Sequence, residues 1–272
     1  MTDSKQKIQP IRLARQGTFF GENYVPLTLH QTEVENIWET FLESTLGPEL
    51  TPEEIEALER ALKKFKGISE QKLENPYFWE SWAPTWAEYS RRNLNRGLLL
   101  LNRLDRFEIH RNIISLGAGS CWQEVFLAQY CCPESRVFGL DFSHHMIKQG
   151  VLLAGKREIR NIHFSVGKVE ALPLTDHCGD LIISINLLDL IPDVPRVLRE
   201  IRRVLSNSRI SRYFFVFPLN RRERLQSRAE AWESMILEAG LERPQIFSFK
   251  GKNYKGQTLR LLVLTNMETL PD

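Results

Sequence analysis

Two segments of this 272-residue chain carry residue types spaced for chemistry. Asn112-Ile-Ile-Ser-Leu-Gly-Ala-Gly-Ser120 is an apolar run closed by glycines, and Arg136-Val-Phe-Gly-Leu-Asp-Phe-Ser143 is a second apolar run closed by an acid. Short runs rich in β-branched and aromatic residues read as buried parallel strands. Gly117 and Gly119 allow the sharp turn that follows the first strand and leave the backbone bare for a ligand. Asp141, 24 residues past Gly117, ends the second strand, where a carboxylate can accept hydrogen bonds from a ribose diol. Together they predict a site for a nucleoside cofactor.

The loop suits neither a dinucleotide nor a nucleoside triphosphate. A dinucleotide fold wants Gly-x-Gly-x-x-Gly, whose third glycine lets the helix pack close to its strand; that position here is Trp122. The chain has no Gly-x-x-x-x-Gly-Lys-Ser/Thr loop, which excludes a P-loop. Ser120 followed three residues later by Gln123 reads as a capping box opening a helix that runs to about Tyr130. A helix start without a close-packed pyrophosphate cradle suits a cofactor with no phosphates, and S-adenosylmethionine is the leading one.

Five motifs in order resemble those of the class I S-adenosylmethionine-dependent methyltransferases, of the small-molecule type with a Leu-Pro motif. They are Ser115-x-Gly117-x-Gly119, Asp141-Phe142-Ser143, Gly167-Lys-Val-Glu-Ala-Leu-Pro173, Gly179-Asp-Leu-Ile-Ile-Ser184 and Leu198-Arg-Glu-Ile-Arg-Arg-Val-Leu205. The resemblance covers roughly residues 105–268. It implies an α/β fold with a seven-stranded Rossmann-like sheet, mostly parallel with the last strand antiparallel, and S-adenosylmethionine as cofactor. It further implies cofactor-binding roles for Ser115, Gly117, Ala118 and Gly119 at the first strand end. The same holds for Asp141, Phe142 and Met146 at the second, for Lys168 and Val169 in the third motif, and for Asn186 after the fourth strand. Met146 stands where the family places an apolar residue beside adenine.

The pattern departs from the family at four places. The acid that ends the family's first strand and contacts the methionine end is Ser115 here, and the third small residue of the turn is Cys121. The Asp that accepts the adenine amino group is Lys168, which has donors only; Glu170, two residues on, is a candidate substitute. Ser206-Asn-Ser208 replaces the Pro-Gly-Gly that follows Arg-Val-Leu.

Strands are predicted near 112–117, 136–141, 161–166, 180–186, 211–218, 245–250 and 258–265, with helices between the first five and another at about 222–239. Such alternation implies parallel strands with right-handed crossovers, and the final two strands should form an antiparallel pair at a sheet edge. Upstream, the apolar stripe Val34, Ile37, Trp38, Phe41, Leu42 predicts a helix, and Thr51-Pro-Glu-Glu54 opens a second that runs to about Phe65. A third helical region spans roughly Pro76 to Leu104, interrupted at Pro84. The expected organisation is a flexible segment at 1–28, a helical cap at 29–104 and the cofactor-binding core at 105–272.

Trp79, Trp82, Trp86 and Tyr89 share one helix face, either gluing the cap to the core or roofing a ligand. The resembled family carries a similar Trp-x-x-x-Ala-x-x-Tyr segment that closes over the cofactor, which makes Trp82, Trp86 and Tyr89 candidate lid residues. An aromatic roof would also attract a sulfonium cation. Asp189, beyond the fourth strand, is a candidate substrate residue, and Asp193 a candidate orienting or capping acid. His144 and His145 read as either a base or solvated helix-start residues.

Bulk properties are those of an ordinary globule: 42% hydrophobic, 26% charged and a formal net charge of +2, which signals no polyanionic partner. Arg196 to Arg228 contains ten arginines, without aromatics interleaved on the same face as an RNA groove would have them. The four cysteines lack metal-site or disulfide spacing, so no metal is expected. No secretory signal, no membrane span and a cytoplasmic location are expected. The leading expectation is methyl transfer to a small, partly apolar molecule, with nucleic acid an unfavoured partner and the oligomeric state open. Methylation of RNA or protein, and a non-catalytic methyltransferase-like subunit, are the rivals.

Overall fold

The apolar runs at 113–116, 181–185 and 213–217 have no polar face to offer water, so they must be covered on both sides, as central strands are. A computed structural model of the protein places them there. It describes residues 76–93, 110–219, 225–252 and 258–267, with isolated positions between 51 and 60. The expected segment 1–28 and the helix at 33–44 lie outside the described residues. Of the second expected helix, Glu53, Glu56, Ala57 and Arg60 are described; they are helical and exposed.

Seven strands form one sheet: β1 (Asn112–Leu116), β2 (Arg136–Asp141), β3 (Ile162–Val166), β4 (Leu181–Ile185), β5 (Arg212–Leu219), β6 (Gln245–Lys252) and β7 (Thr258–Thr265). Their order is β3-β2-β1-β4-β5-β7-β6. The first five are parallel, and β7 runs antiparallel between β5 and β6. From β1 the chain moves outward through β2 and β3, then returns to the other side of β1 as β4. Ser115 therefore lies between Gly139 of β2 and Ile183 of β4 in register. A crevice opens at the carboxyl ends of strands where the order reverses in this way.

Helices cover both faces. The helix α1 (Pro76–Asn93) precedes the sheet, and α2 (Trp122–Phe126) passes into a π-helical turn at Leu127–Cys131. Three more follow: α3 (His144–Lys156), α4 (Val194–Val204) and α5 (Leu225–Glu238). Alternate strand residues feed two separate apolar clusters. Ile113, Val137, Ile183, Phe214 and Val263 pack with Trp122, Val125 and Phe126 on one face. Ile114, Leu140, Ile182, Phe215 and Leu262 pack with Val197, Ile201, Trp232 and Ile236 on the other. Each such side chain, fully buried, contributes about 1.5–3 kcal/mol relative to exposure.

Two local expectations need correction. α1 continues through Pro84 without a break, to Asn93, and residues 94–109 lie outside the described residues. The capping box at Ser120 does not form: the helix starts at Trp122, and its cap position is Cys121, with φ 61° and no side-chain cap bond. The glycine turn carries the chain through the left-handed region at alternate residues, Gly117, Gly119 and Cys121, and this geometry removes Ser120 from the capping position.

The segment between β3 and β4 carries the Leu-Pro motif without forming helix or strand up to residue 178. Arg203 of α4 holds it. Its Nε and Nη2 donate to Glu200 Oε1 and Oε2 at 2.9 and 2.8 Å. Nη1 donates to the Leu174 carbonyl and to Asp176 at 2.8 and 2.7 Å, and Nη2 also donates to the Leu172 carbonyl at 3.0 Å. All five guanidinium N–H groups are used. The hydrogen bond from Arg203 keeps the Glu200 carboxyl below the usual range despite its burial.

Candidate functional site

A cavity of about 350 Å³ occupies the crevice at the ends of β1, β2 and β4. That size falls within the range of ligand pockets. Its floor is the turn after β1. Gly117 has φ +67°, and a Cβ there would lie 2.9 Å from the Leu187 side chain. Gly119 has φ +55°, and a Cβ there would meet no atom within 4 Å. Gly119 lines the cavity, so its missing side chain leaves open space beside bare backbone.

Asp141 is held at the end of β2 by main-chain donors. Gly119 N–H donates to Oδ2 and Ser143 N–H to Oδ1, both at 2.9 Å. Burial pushes the carboxyl up to about 6, against the lowering effect of these bonds and with a further push from Glu80. Ser143 then caps α3, its Oγ accepting from Met146 N–H at 3.3 Å. Phe142 and Met146 line the cavity beyond Asp141.

At the end of β1, Ser115 Oγ donates to Glu124 Oε1 at 2.6 Å. Glu124 projects from α2, is 4% exposed and lines the cavity. Burial pushes its carboxyl up to about 7; the Ser115 hydrogen bond opposes this and the Asp141 charge adds to it. Among the described residues Glu124 Oε2 has no hydrogen-bond partner, and neither do Ser120 Oγ or Asn186 Oδ1. All three residues lie on the cavity wall.

The wall away from the sheet comes from α1. Trp79 and Trp86 line the cavity, with rings edge to face at 5.7 Å, and Trp79 lies 6.2 Å from the Phe142 ring. Glu80 locks α1 to the start of α3. Its carboxylate accepts from His144 N–H at 2.6 Å and His145 N–H at 3.1 Å, and meets the His145 ring at Nδ1. An anion at a helix N-terminus is well placed. Burial would raise the Glu80 carboxyl, but the hydrogen bonds from His145 and His144 hold it below its ordinary value.

The structure brings Ser115, Gly117, Ala118, Gly119 and Asp141 to one cavity, together with Phe142, Met146, Lys168, Val169 and Asn186. Trp86 joins them, but other expected residues do not. Asp189 sits in a 3₁₀ turn at Leu188–Leu190 and pairs with Arg228 instead of lining the cavity. Trp82 packs against Phe78 at 5.8 Å rather than facing the cavity. The Tyr89 side chain lies outside the described residues. Asp193 lines the cavity and also caps α4, accepting from Arg196 N–H at 3.1 Å. His144 and His145 take the helix-start role, engaged by Glu80.

Sequence reasoning misses Glu124 because its partner is nine residues away on another element. The missing strand-end acid at Ser115 is the one signal that a carboxylate should be sought nearby. The lid set drawn from the family segment omits Trp79, although it belongs to the same aromatic stripe. In the arginine-rich stretch, Arg196, Arg202, Arg203, Arg212 and Arg228 all donate to acceptors within the chain. Among the described residues no group of His, Cys, Asp and Glu could hold a metal ion, and no helix is long and apolar enough to cross a membrane.

The chain is 31% identical over 103 residues to demethylmenaquinone methyltransferase from Listeria welshimeri, covering 38% of this chain and 44% of that protein. It is 29% identical over 93 residues to arsenite methyltransferase from Halobacterium salinarum, covering 34% and 24% respectively. It thus spans less than half the length of these curated relatives. The fold is similar to that of a crystal structure from Methanococcus maripaludis described as a putative S-adenosylmethionine-dependent methyltransferase. That similarity has a TM-score of 0.56 and 19% identity over 71% of this chain and 94% of that one. Residues 109–249 match the family described as a methyltransferase domain. That match takes in more than half of the 272 residues, and the chain belongs to this methyltransferase domain family.

Proposed function

We propose that the protein binds S-adenosylmethionine in this cavity and transfers its methyl group to a small, partly apolar acceptor. The observation that carries this reading is the set of buried polar atoms without partners on one cavity wall, Ser120 Oγ, Glu124 Oε2 and Asn186 Oδ1. Buried polar groups are normally satisfied, so such a cluster fits a polar ligand that completes it. The chain's residues suit a nucleoside with an amino-acid tail. Asp141, fixed by two main-chain donors, keeps lone pairs for ribose hydroxyls. Gly119 leaves room for close approach, and Phe142, Met146 and Val169 offer apolar surface to a base. Lys168 has no side-chain acceptor, so hydrogen bonds from an adenine amino group fall to the main chain or to Glu170, which also lines the cavity.

The cofactor supplies a methyl group already activated by its sulfonium. The protein's part is to align the two reactants and exclude water. Trp79, Trp86, Leu187, Leu190, Ile191 and Pro192 form an apolar part of the wall, which supports a carbon-rich acceptor held beneath α1. Arsenite is a thiophilic acceptor, and among the described residues that line the cavity there is no cysteine. Residues 76–93 serve as the described part of a lid on the core domain.

The test is calorimetric titration of S-adenosylmethionine and S-adenosylhomocysteine into wild type and Asp141→Asn. Loss of the ribose bonds should weaken both ligands roughly 10- to 100-fold. Transfer of labelled methyl to a panel of quinols and phenols then tests the acceptor class. Absence of binding by the wild type, or equal binding by both proteins, refutes the site.

A further inference from the structure

We infer that Glu124 is the anionic anchor for the ammonium group at the amino-acid end of the bound nucleoside, replacing a charge that the end of β1 lacks. This rests on the cofactor reading above and assigns a residue to the tail of that ligand. The strand end carries Ser115, which has no charge, yet a carboxylate still stands there, because Ser115 Oγ donates to Glu124 Oε1 at 2.6 Å. One oxygen is thereby fixed. The other, Oε2, is buried without a partner, and the residue lines the cavity.

A buried carboxylate oxygen is stabilised by a hydrogen-bond donor and a positive charge. Among the described residues the protein supplies no hydrogen-bond donor to Oε2. Among the described residues the cavity wall carries four acids, Glu124, Asp141, Glu170 and Asp193, and one basic residue, Lys168. Lys168 has no ion-pair or hydrogen-bond partner for its side chain among the described residues. The excess of acids complements a cationic ligand. A sulfonium brings positive charge but no N–H or O–H, so it cannot satisfy Oε2 by a hydrogen bond. An ammonium brings both, with three donors. Asp141 differs: main-chain donors already reach both of its oxygens. It therefore suits neutral hydroxyls, and the charge-seeking position falls to Glu124.

The experiment compares three probes in calorimetry: S-adenosylhomocysteine, S-adenosylmethionine and 5′-methylthioadenosine, a nucleoside thioether without the amino-acid end. Glu124→Gln keeps the shape and the Ser115 acceptor but removes the charge. It should weaken the first two ligands on the order of 10- to 100-fold and leave 5′-methylthioadenosine within about twofold. Ser115→Ala, which removes the bond that fixes Glu124 Oε1, should reproduce the same selective pattern at several-fold, and it carries the test if the first variant fails to fold. Asp141→Asn should weaken all three probes alike. Unchanged S-adenosylhomocysteine binding in Glu124→Gln overturns the assignment, even if turnover is lost. So does an equal loss for 5′-methylthioadenosine. If the wild type binds none of the three, the cofactor reading itself fails and the assignment falls with it.

Discussion

Glu124 makes an unusual prediction about the protein without ligand: replacing it should favour the fold increasingly, relative to wild type, as pH rises from about 4.5 to 7. In an unfolded chain its carboxyl titrates near 4.5, and in the folded protein near 7. The native state therefore holds the proton more tightly. Its advantage is fully present below about pH 4.5 and is lost as pH rises through 7. At 1.36 kcal/mol per pH unit, the loss amounts to about 3 kcal/mol. A glutamine side chain cannot ionise, so Glu124→Gln escapes it. The unpaired amide N–H₂ adds an offset that does not depend on pH, which leaves the slope as the readout. Thermal unfolding from pH 4.5 to 8.5 should show the variant gaining on wild type by roughly 3 kcal/mol, on the order of 6–10 °C. Asp141 and Cys121, the neighbouring ionisable groups, remain in both proteins, so their own titration largely cancels. Saturating S-adenosylhomocysteine should close the gap, since it stabilises the protein that binds it better. A difference that stays constant across the pH range, or that shrinks as pH rises, would refute the account of Glu124 as a buried, unpaired acid.

Two further predictions concern packing. A Cβ on Gly150 of α3 would lie 2.4 Å from Cys121 Cβ, so Gly150→Ala should destabilise the protein by about 1–3 kcal/mol in chemical denaturation. Adding Cys121→Gly should recover most of that, because it removes the colliding side chain and relaxes the left-handed residue; no recovery would mean the clash is not the cause. Trp79 is 7% exposed and Trp86 half-buried, although both line the cavity. Trp79→Ala should therefore lower stability by about 3–5 kcal/mol without ligand. Trp86→Ala should mainly weaken ligand binding, and the reverse order of melting temperatures would show that α1 is packed differently.

The strands are legible because burial on both faces leaves a signature that needs no partner to be read. Predicted 136–141 and 258–265 coincide with β2 and β7, and the other ends differ by at most two residues. What stays illegible is what depends on contacts far along the chain. Asp189 follows a strand, as a substrate residue should, but Arg228, 39 residues on, takes it. The aromatic stripe reads as one face, yet a helix turns about 100° per residue. Trp79 and Trp86, seven apart, differ by only some 20°, whereas Trp82 sits about 60° off that line and turns toward Phe78. The capping box at Ser120 is a local pattern that a run of left-handed residues overrides, and no sequence rule predicts a cysteine at φ 61°. The pairing of Ser115 with Glu124 is likewise a product of the turn between them.

The five bonds of Arg203 have a consequence for the cavity that it never touches. Lys168 and Val169 reach the cavity from a stretch with no ladder or helix to keep it in place, and α4 supplies rigidity through the Arg203 guanidinium and through Arg196 Nε, which donates to the Glu170 carbonyl at 3.0 Å. A guanidinium imposes directions as well as charge, so the carbonyls of Leu172 and Leu174 are set relative to Glu200 as if by a template. A lysine there would keep the charge, surrender the fork, and leave at least two of the five acceptors to water. The edge of the cavity formed by Lys168 and Val169 is thus held in part from α4, so a substitution at Arg203, which does not line the cavity, can alter the shape of a wall it never reaches.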